Sequence, residues 1–217
     1  MKHHKRLAHA GLLTAVALTV VACGGMGGGG GAAENKNDAG MGGMDHSKME
    51  GGSGGTASGM LMEDGRYSDE RFIDAMVPHH RGAVEMAEVA LQNAEHEEIR
   101  RLSENIVATQ EAEIEELKRI KKEEFGTSRI PMEMGPGEMG NMGMMEDPQA
   151  LADEEPFDKA FIEAMIPHHR SAIEMADVAL DKSNNPQIRE LAEGIIGAQE
   201  REISQMQAWR ENWYPEG

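Results

Sequence analysis

One twenty-residue stretch is written twice in this 217-residue chain, as FIDAMVPHHRGAVEMAEVAL at 72–91 and as FIEAMIPHHRSAIEMADVAL at 161–180. The copies agree at 15 of 20 positions; the exchanges pair Asp74 with Glu163, Val77 with Ile166, Gly82 with Ser171, Val84 with Ile173 and Glu88 with Asp177. So close a repeat restricts the fold to equivalent units that bury their apolar faces on one another, within the chain or between chains. At about 100° per residue, Phe72, Met76, Ala83, Ala87 and Ala90 form one stripe. His79, His80 and Met86 line its edges, whereas Arg81, Glu85 and Glu88 point away. The period is that of an amphipathic helix, with Ser68 as its expected cap.

Each copy is followed by a second helical pattern. Ile99, Leu102, Ile106, Ile114, Leu117 and Ile120 form its stripe in the first half, with Glu113 among the charges assigned to the water side. Ile188, Leu191, Ile195, Ile203, Met206 and Trp209 repeat it at the same offset of 89 residues, after Asn185-Pro186, a cap followed by a first-turn proline. Trp209 is expected in the core, with Trp213 and Tyr214 closing one end. A single helical hairpin buries too little apolar surface to be secure, but two can share a core. The expected fold is therefore all-α, a four-helix bundle of two duplicated αα-hairpins at 63–124 and 151–217. The alternative is two separate hairpins, each paired with a copy from another chain. Pro78 and Pro167 predict a kink or a helix restart just before each histidine pair.

Residues 1–22 read as a lipoprotein signal peptide: Lys2, Lys5 and Arg6 precede an apolar run too short to span a bilayer, and Val20-Val21-Ala22-Cys23 has the form of a lipobox. Cys23, the only cysteine, is the expected lipidation site, which would anchor the protein in the cell envelope, in the periplasm or on the outer face of the cytoplasmic membrane. Residues 23–62 read as a disordered Gly/Met-rich tether, since 15 glycines lie between positions 24 and 59. A formal charge of -18 argues against nucleic acid as a partner and favours cations, without specifying one.

The chemistry suggested by the repeat is that of a soft metal. Met76 lies three and four residues before His79 and His80, so imidazole and thioether share a helical turn, and Met165, His168 and His169 repeat the arrangement. Met86 and Met175 lie too far along the axis to share an ion with His79 and His168 on a straight helix. Thioether and imidazole together suit Cu(I) and Ag(I), with Cu(II) where imidazole and carboxylate dominate. Zinc is the rival, through convergence of His79, His80, His168 and His169. Methionine on an apolar face is ordinarily core filler; retention of the same four residues in both copies favours ligation. Met41, Met44, His46 and Met49 in the tether are accessory candidates, and the linker at 125–150 adds six methionines among glycines and prolines. Gln110 and Gln199 recur between copies and fit either support of the site or a solvated helix edge. Nothing marks a nucleophilic triad, a phosphate loop or the carboxylate set of a di-iron bundle, so an enzyme is the less favoured reading.

The pattern Phe-Ile-x-Ala-Met-x-Pro-His-His-x-x-Ala-x-x-Met-Ala, at 72–87 and 161–176, resembles the signature of the bacterial "domain of unknown function 305" family. The resemblance spans about residues 69–209. It implies an exported, ferritin-like helical bundle with copper binding and tolerance among its members' properties. The motif positions are Met76, His79, His80, Met86, Met165, His168, His169 and Met175. The expected function is copper binding as an extracytoplasmic buffer or chaperone, with delivery to a copper-transport or metallochaperone protein and homo-oligomerisation as further expectations. The alternatives are a metal-dependent redox enzyme and a structural protein of the envelope without metal.

Overall fold

A computed structural model describes residues 57–131, 135, 139–140 and 142–216. The expected signal peptide at 1–22, Cys23 and the tether candidates Met41, Met44, His46 and Met49 lie outside the described residues. Four long helices dominate: α1 (Asp69–Asn93), α2 (Glu97–Phe125), α3 (Phe157–Lys182) and α4 (Pro186–Trp213). Helices α1 and α2 form the first hairpin and α3 and α4 the second, and the hairpins pack through α1 and α3 in one chain. The all-α bundle of duplicated hairpins is thus the observed architecture, and the pairing is intramolecular.

Local signals set the helix ends. The Ser68 hydroxyl accepts from the Arg71 amide at 3.4 Å, and the Asn185 side chain accepts from the Gln187 amide at 2.9 Å ahead of Pro186. Gly126 ends α2 in the left-handed region at φ 76°, where a glycine escapes the Cβ clash. Pro78 and Pro167 both sit inside continuous helices, so neither restarts one. Each withholds a backbone donor in the turn beside a histidine pair.

Contacts between α1 and α3 fix their antiparallel register. His79 meets Ser171 near the middle, Gly82 faces His168, and Asp158 at the start of α3 accepts from the Glu95 and His96 amides beyond the end of α1, at 3.0 and 2.7 Å. One apolar cluster joins the start of α1 (Phe72, Ile73, Met76) to the end of α3 (Met175, Ala176, Ala179), with Ile114, Leu117 and Ile120 of α2. A second joins the end of α1 (Met86, Ala87, Ala90) to the start of α3 (Phe157, Phe161, Met165), with Ile99, Leu102 and Ile106.

Several expectations are corrected. Residues 57–62, assigned to the tether, begin with a 3-10 helix (Ser58–Leu61) whose Leu61 is buried in the first cluster, as is Ala57. Antiparallel strands β1 (Met62–Glu63) and β2 (Arg66–Tyr67) follow, turning through Asp64 and Gly65 at positive φ. The sequence shows this hairpin only as a polar stretch, because two-residue strands are too short to display alternation. The linker is partly core: Met142 is fully buried, and Gly143, at φ 65°, lies so close to Pro167 that a Cβ would approach its carbonyl carbon and oxygen to 2.8 Å. Leu191, Ile203 and Trp209 are only partly buried, against the expected stripe. Trp213 stacks on His96 with ring centroids 3.8 Å apart and on Trp209 at 5.5 Å, closing the end where Asp158 holds the turn between α1 and α2.

Candidate metal centre

A polar layer lies between the two apolar clusters. His79, His80, His168 and His169 are all completely buried there, together with Gln110 and Gln199. Adjacent histidines on a helix diverge by about 100°, and the structure uses that divergence to separate their tasks. His79 and His168 point at the hairpin crossing, where their rings lie 3.9 Å apart. His80 and His169 turn into their own hairpins and meet carboxylates: His80 Nε2 lies 2.8 Å from Glu113 of α2, and His169 Nε2 donates to Glu202 of α4 at 2.6 Å. The His80 contact has the distance of an ion pair without the angle of a hydrogen bond.

His79 is held from the other hairpin and from the linker. Its single Nε2–H is shared between the Met142 carbonyl at 3.2 Å and Ser171 Oγ at 2.8 Å, and the one hydroxyl hydrogen of Ser171 is shared between the carbonyls of Met142 and His168. A carbonyl can only accept, so the hydrogen of the neutral ring sits on Nε2 and Nδ1 keeps a bare lone pair. Burial, reinforced by the neighbouring His80, lowers the His79 pKa to about 3. Burial also drives His168 well below the ordinary imidazole range, with His79 adding to the effect and the His79 backbone carbonyl opposing it weakly.

The Nδ1 atoms of all four histidines are buried without a hydrogen-bond partner, and His168 lacks one at Nε2 as well. Both amide atoms of Gln110 and of Gln199 are in the same condition. Orphaned buried polar atoms cost about 1–3 kcal/mol each, so a layer holding many of them is arranged for something that satisfies them. Among the described residues no three His, Cys, Asp or Glu side chains converge into a metal-binding group. The four histidines do not form a tetrahedral cage, with ring centroids 6.4 Å apart in the first pair and 6.2 Å in the second.

Sulfur surrounds the layer on both sides. Met76, Met142 and Met175 belong to the cluster at one end of it, and Met86 and Met165 to the cluster at the other, all at most 1% exposed. Each cluster therefore pairs the first motif methionine of one copy with the second of the other, Met76 with Met175 and Met86 with Met165, and Met76 is parted from Met86. All eight motif residues are brought into one interior, in three tiers.

Four participants were missed by sequence reasoning. Glu113 and Glu202 face inward; Ser171 and the Met142 carbonyl hold His79. The carboxylates had a signal, for they recur at the 89-residue offset and Glu113 lies one turn from Gln110, on the inward edge of α2. Gln110 and Gln199 are buried, which excludes the solvated-edge reading.

The DUF305 family model, described as a domain of unknown function, matches residues 19–121 and 69–210. The solved structure of CopM in its Cu(II)-bound form is 42% identical, with a TM-score of 0.64, covering 69% of this chain and 99% of that one. CopM in its Cu(I)-bound form is 39% identical, with a TM-score of 0.62 and the same coverage, and CopM has also been solved in an Ag-bound form. A DUF305 fragment from Deinococcus radiodurans, 24% identical with a TM-score of 0.59, covers 64% of this chain and 93% of its own and shares the fold. An uncharacterized protein of Acanthamoeba polyphaga mimivirus is 41% identical over 49 residues, which span 23% of this chain and 32% of that protein.

Proposed function

The chain belongs to the DUF305 family, and from that premise we propose that it binds copper between its two hairpins, taking Cu(I) through imidazole and thioether together. The ligands are His79, His80, His168 and His169 with Met76, Met86, Met165 and Met175. The observation that carries this reading is the set of buried imidazole nitrogens without partners, in a layer flanked by methionine on both sides. The donor set fits the ion: thioether and imidazole favour Cu(I) and Ag(I), and neither has the oxygen character that Mg²⁺ or Ca²⁺ requires. The copper- and silver-bound forms of CopM support the same assignment by similarity.

The chain's own groups prepare the site. Burial keeps His79 and His168 free of competing protons at neutral pH, and thioethers carry none, so loading displaces few protons. Glu202 accepts the outward N–H of His169, the arrangement that orients a ligating imidazole and raises its basicity; Glu113 lies where it can serve His80 alike. Those two pairs supply imidazole and carboxylate, which suits Cu(II). Zinc remains a competitor for the imidazoles. The physiological role in this reading is storage or handover outside the cytoplasm, from a lipid anchor at Cys23 to a copper-transport or metallochaperone partner.

Anaerobic titration with Cu(I) against a chromophoric competitor tests the site. Wild-type protein is expected to hold copper stoichiometrically. The Met76, Met86, Met165 and Met175 to Leu quadruple variant should lose Cu(I) and Ag(I) while still taking Cu(II). Full retention of Cu(I) by a folded His79, His80, His168 and His169 to Ala quadruple variant would overturn the assignment. Release of the protein from membranes by Cys23→Ser tests the anchor.

A further inference from the structure

We propose that the two copies have diverged into an anchored and a free histidine at the hairpin crossing, with Ser171 as the positioning residue that presents His79 through Nδ1 and glycine at position 82 leaving His168 unheld. The inference rests on the copper reading for its purpose, but its structural content concerns the protein alone.

Among the five exchanges between the copies, four trade Asp with Glu or Val with Ile. The fifth, Gly82 against Ser171, is the only one that adds or removes a hydrogen-bonding group. Residue 82 stands toward His168 as residue 171 stands toward His79, by the antiparallel register of α1 and α3. On one side the Ser171 hydroxyl lies 2.8 Å from His79 Nε2 and 2.8 Å from the His168 carbonyl. On the other side a Cβ built on Gly82 would lie 3.4 Å from His168 Nε2, yet glycine offers no hydroxyl and both His168 nitrogens are left without a partner. The linker reinforces the difference, because the Met142 carbonyl accepts from His79.

A neutral imidazole has one hydrogen to place. In His79 that hydrogen is fixed on Nε2, so the lone pair of Nδ1 is presented at all times. In His168 no hydroxyl fixes the hydrogen and only the His79 backbone carbonyl lies nearby to bias it, so either nitrogen is available to an arriving ion. The crossing thus offers one ligand in place beforehand and one that adjusts during binding. Loss of a group that orients a ligating histidine lowers metal affinity by about 10–100-fold, which sets the effect expected for Ser171.

The tautomers are read by two-bond ¹H–¹⁵N correlation spectra of metal-free, histidine-labelled protein at about pH 8, above the ordinary imidazole range. His79 should show a single Nε2–H form and His168 an averaged one. Ser171→Ala should release His79 into the averaged form, and Ser171→Thr should restore the single form. Gly82→Ser should fix His168 in one tautomer, with the terminal methyl of Met144, 3.3 Å from the new Cβ, yielding slightly. In Cu(I) competition, Ser171→Ala should bind about 10–100-fold more weakly and Ser171→Thr like wild type.

A His79 tautomer unchanged in folded Ser171→Ala, or a His168 already fixed in the wild type, would overturn the asymmetry. An altered tautomer with unaltered affinity would overturn the positioning role. Failure of wild-type protein to bind Cu(I), with the tautomers as expected, would remove the copper reading and leave the asymmetry standing.

Discussion

The two ends of the bundle and its middle are built on opposite rules. At the ends, Phe72, Ile73 and Leu117 on one side and Phe161, Ile106 and Ile99 on the other are apolar and fully buried. The middle is equally buried but holds four imidazoles and two amides, many of whose polar atoms lack a partner. Apolar burial stabilises at roughly 25 cal/mol per Å², whereas each orphaned polar atom works against folding. The ends therefore stabilise a layer that is costly by itself. Such a separation is expected where a site must be held ready for a ligand.

Phe161→Ala puts the strongest strain on this comparison. The ring is fully buried and stacks on Phe157 with centroids 6.4 Å apart, so its loss should cost about 3–5 kcal/mol in chemical denaturation. Copper stoichiometry at low temperature should be unchanged; loss of copper by the folded variant would show that the ends and the middle are not separable. Gly143→Ala comes next. The left-handed backbone and the contact with Pro167 together predict a loss of about 2 kcal/mol or more, and weaker copper binding as the Met142 carbonyl shifts from His79. Unchanged stability and affinity would detach the linker from the layer.

His168→Leu should move stability the other way. Removing an imidazole with two orphaned nitrogens is expected to raise stability by about 1–2 kcal/mol while weakening Cu(I) binding; a folded variant that is less stable would show that the middle does contribute to stability. A fourth test is of pH dependence. The folded pKa of His79 is depressed to about 3, so the unfolded chain binds the extra proton between there and the ordinary value of about 6.5. The stability from a neutral His79 is thus complete above about pH 6.5 and declines as pH falls, by at most ~1.4 kcal/mol per pH unit. His168, depressed in the same direction, adds to the slope. Denaturation midpoints between about pH 7 and pH 4 check this against His79→Leu, which should flatten the profile.

Much of the fold was legible because helix periodicity and caps are local properties. Ser68, Asn185-Pro186 and the Ile and Leu stripe of α2 announce the helices where they occur. The eight motif residues were legible because the repeat holds His and Met together while its neighbours exchange. Glu113 was misplaced as a solvent-facing charge because α2 is so acidic that one inward glutamate does not stand out. The role of Ser171 depends on a ring 92 residues away, and no local pattern announces such a contact. Met142 shows the same limit: a methionine between Asn141 and Gly143 has no stripe to join, and only burial in the first apolar cluster and the contact of its carbonyl with His79 give it a place.

From the order of its residues alone, the chain determines that it forms two equivalent amphipathic hairpins and that each carries imidazole and thioether on its inward side, since both follow from spacing along a helix. Packing of α1 against α3 decides the rest. Antiparallel register is a property of two helices together, and it brings Met76 and Met175 into one cluster, Met86 and Met165 into another, and His79 against His168 between them. The same packing turns a glycine-for-serine exchange, minor within either copy, into a difference between one histidine that is held and one that is not.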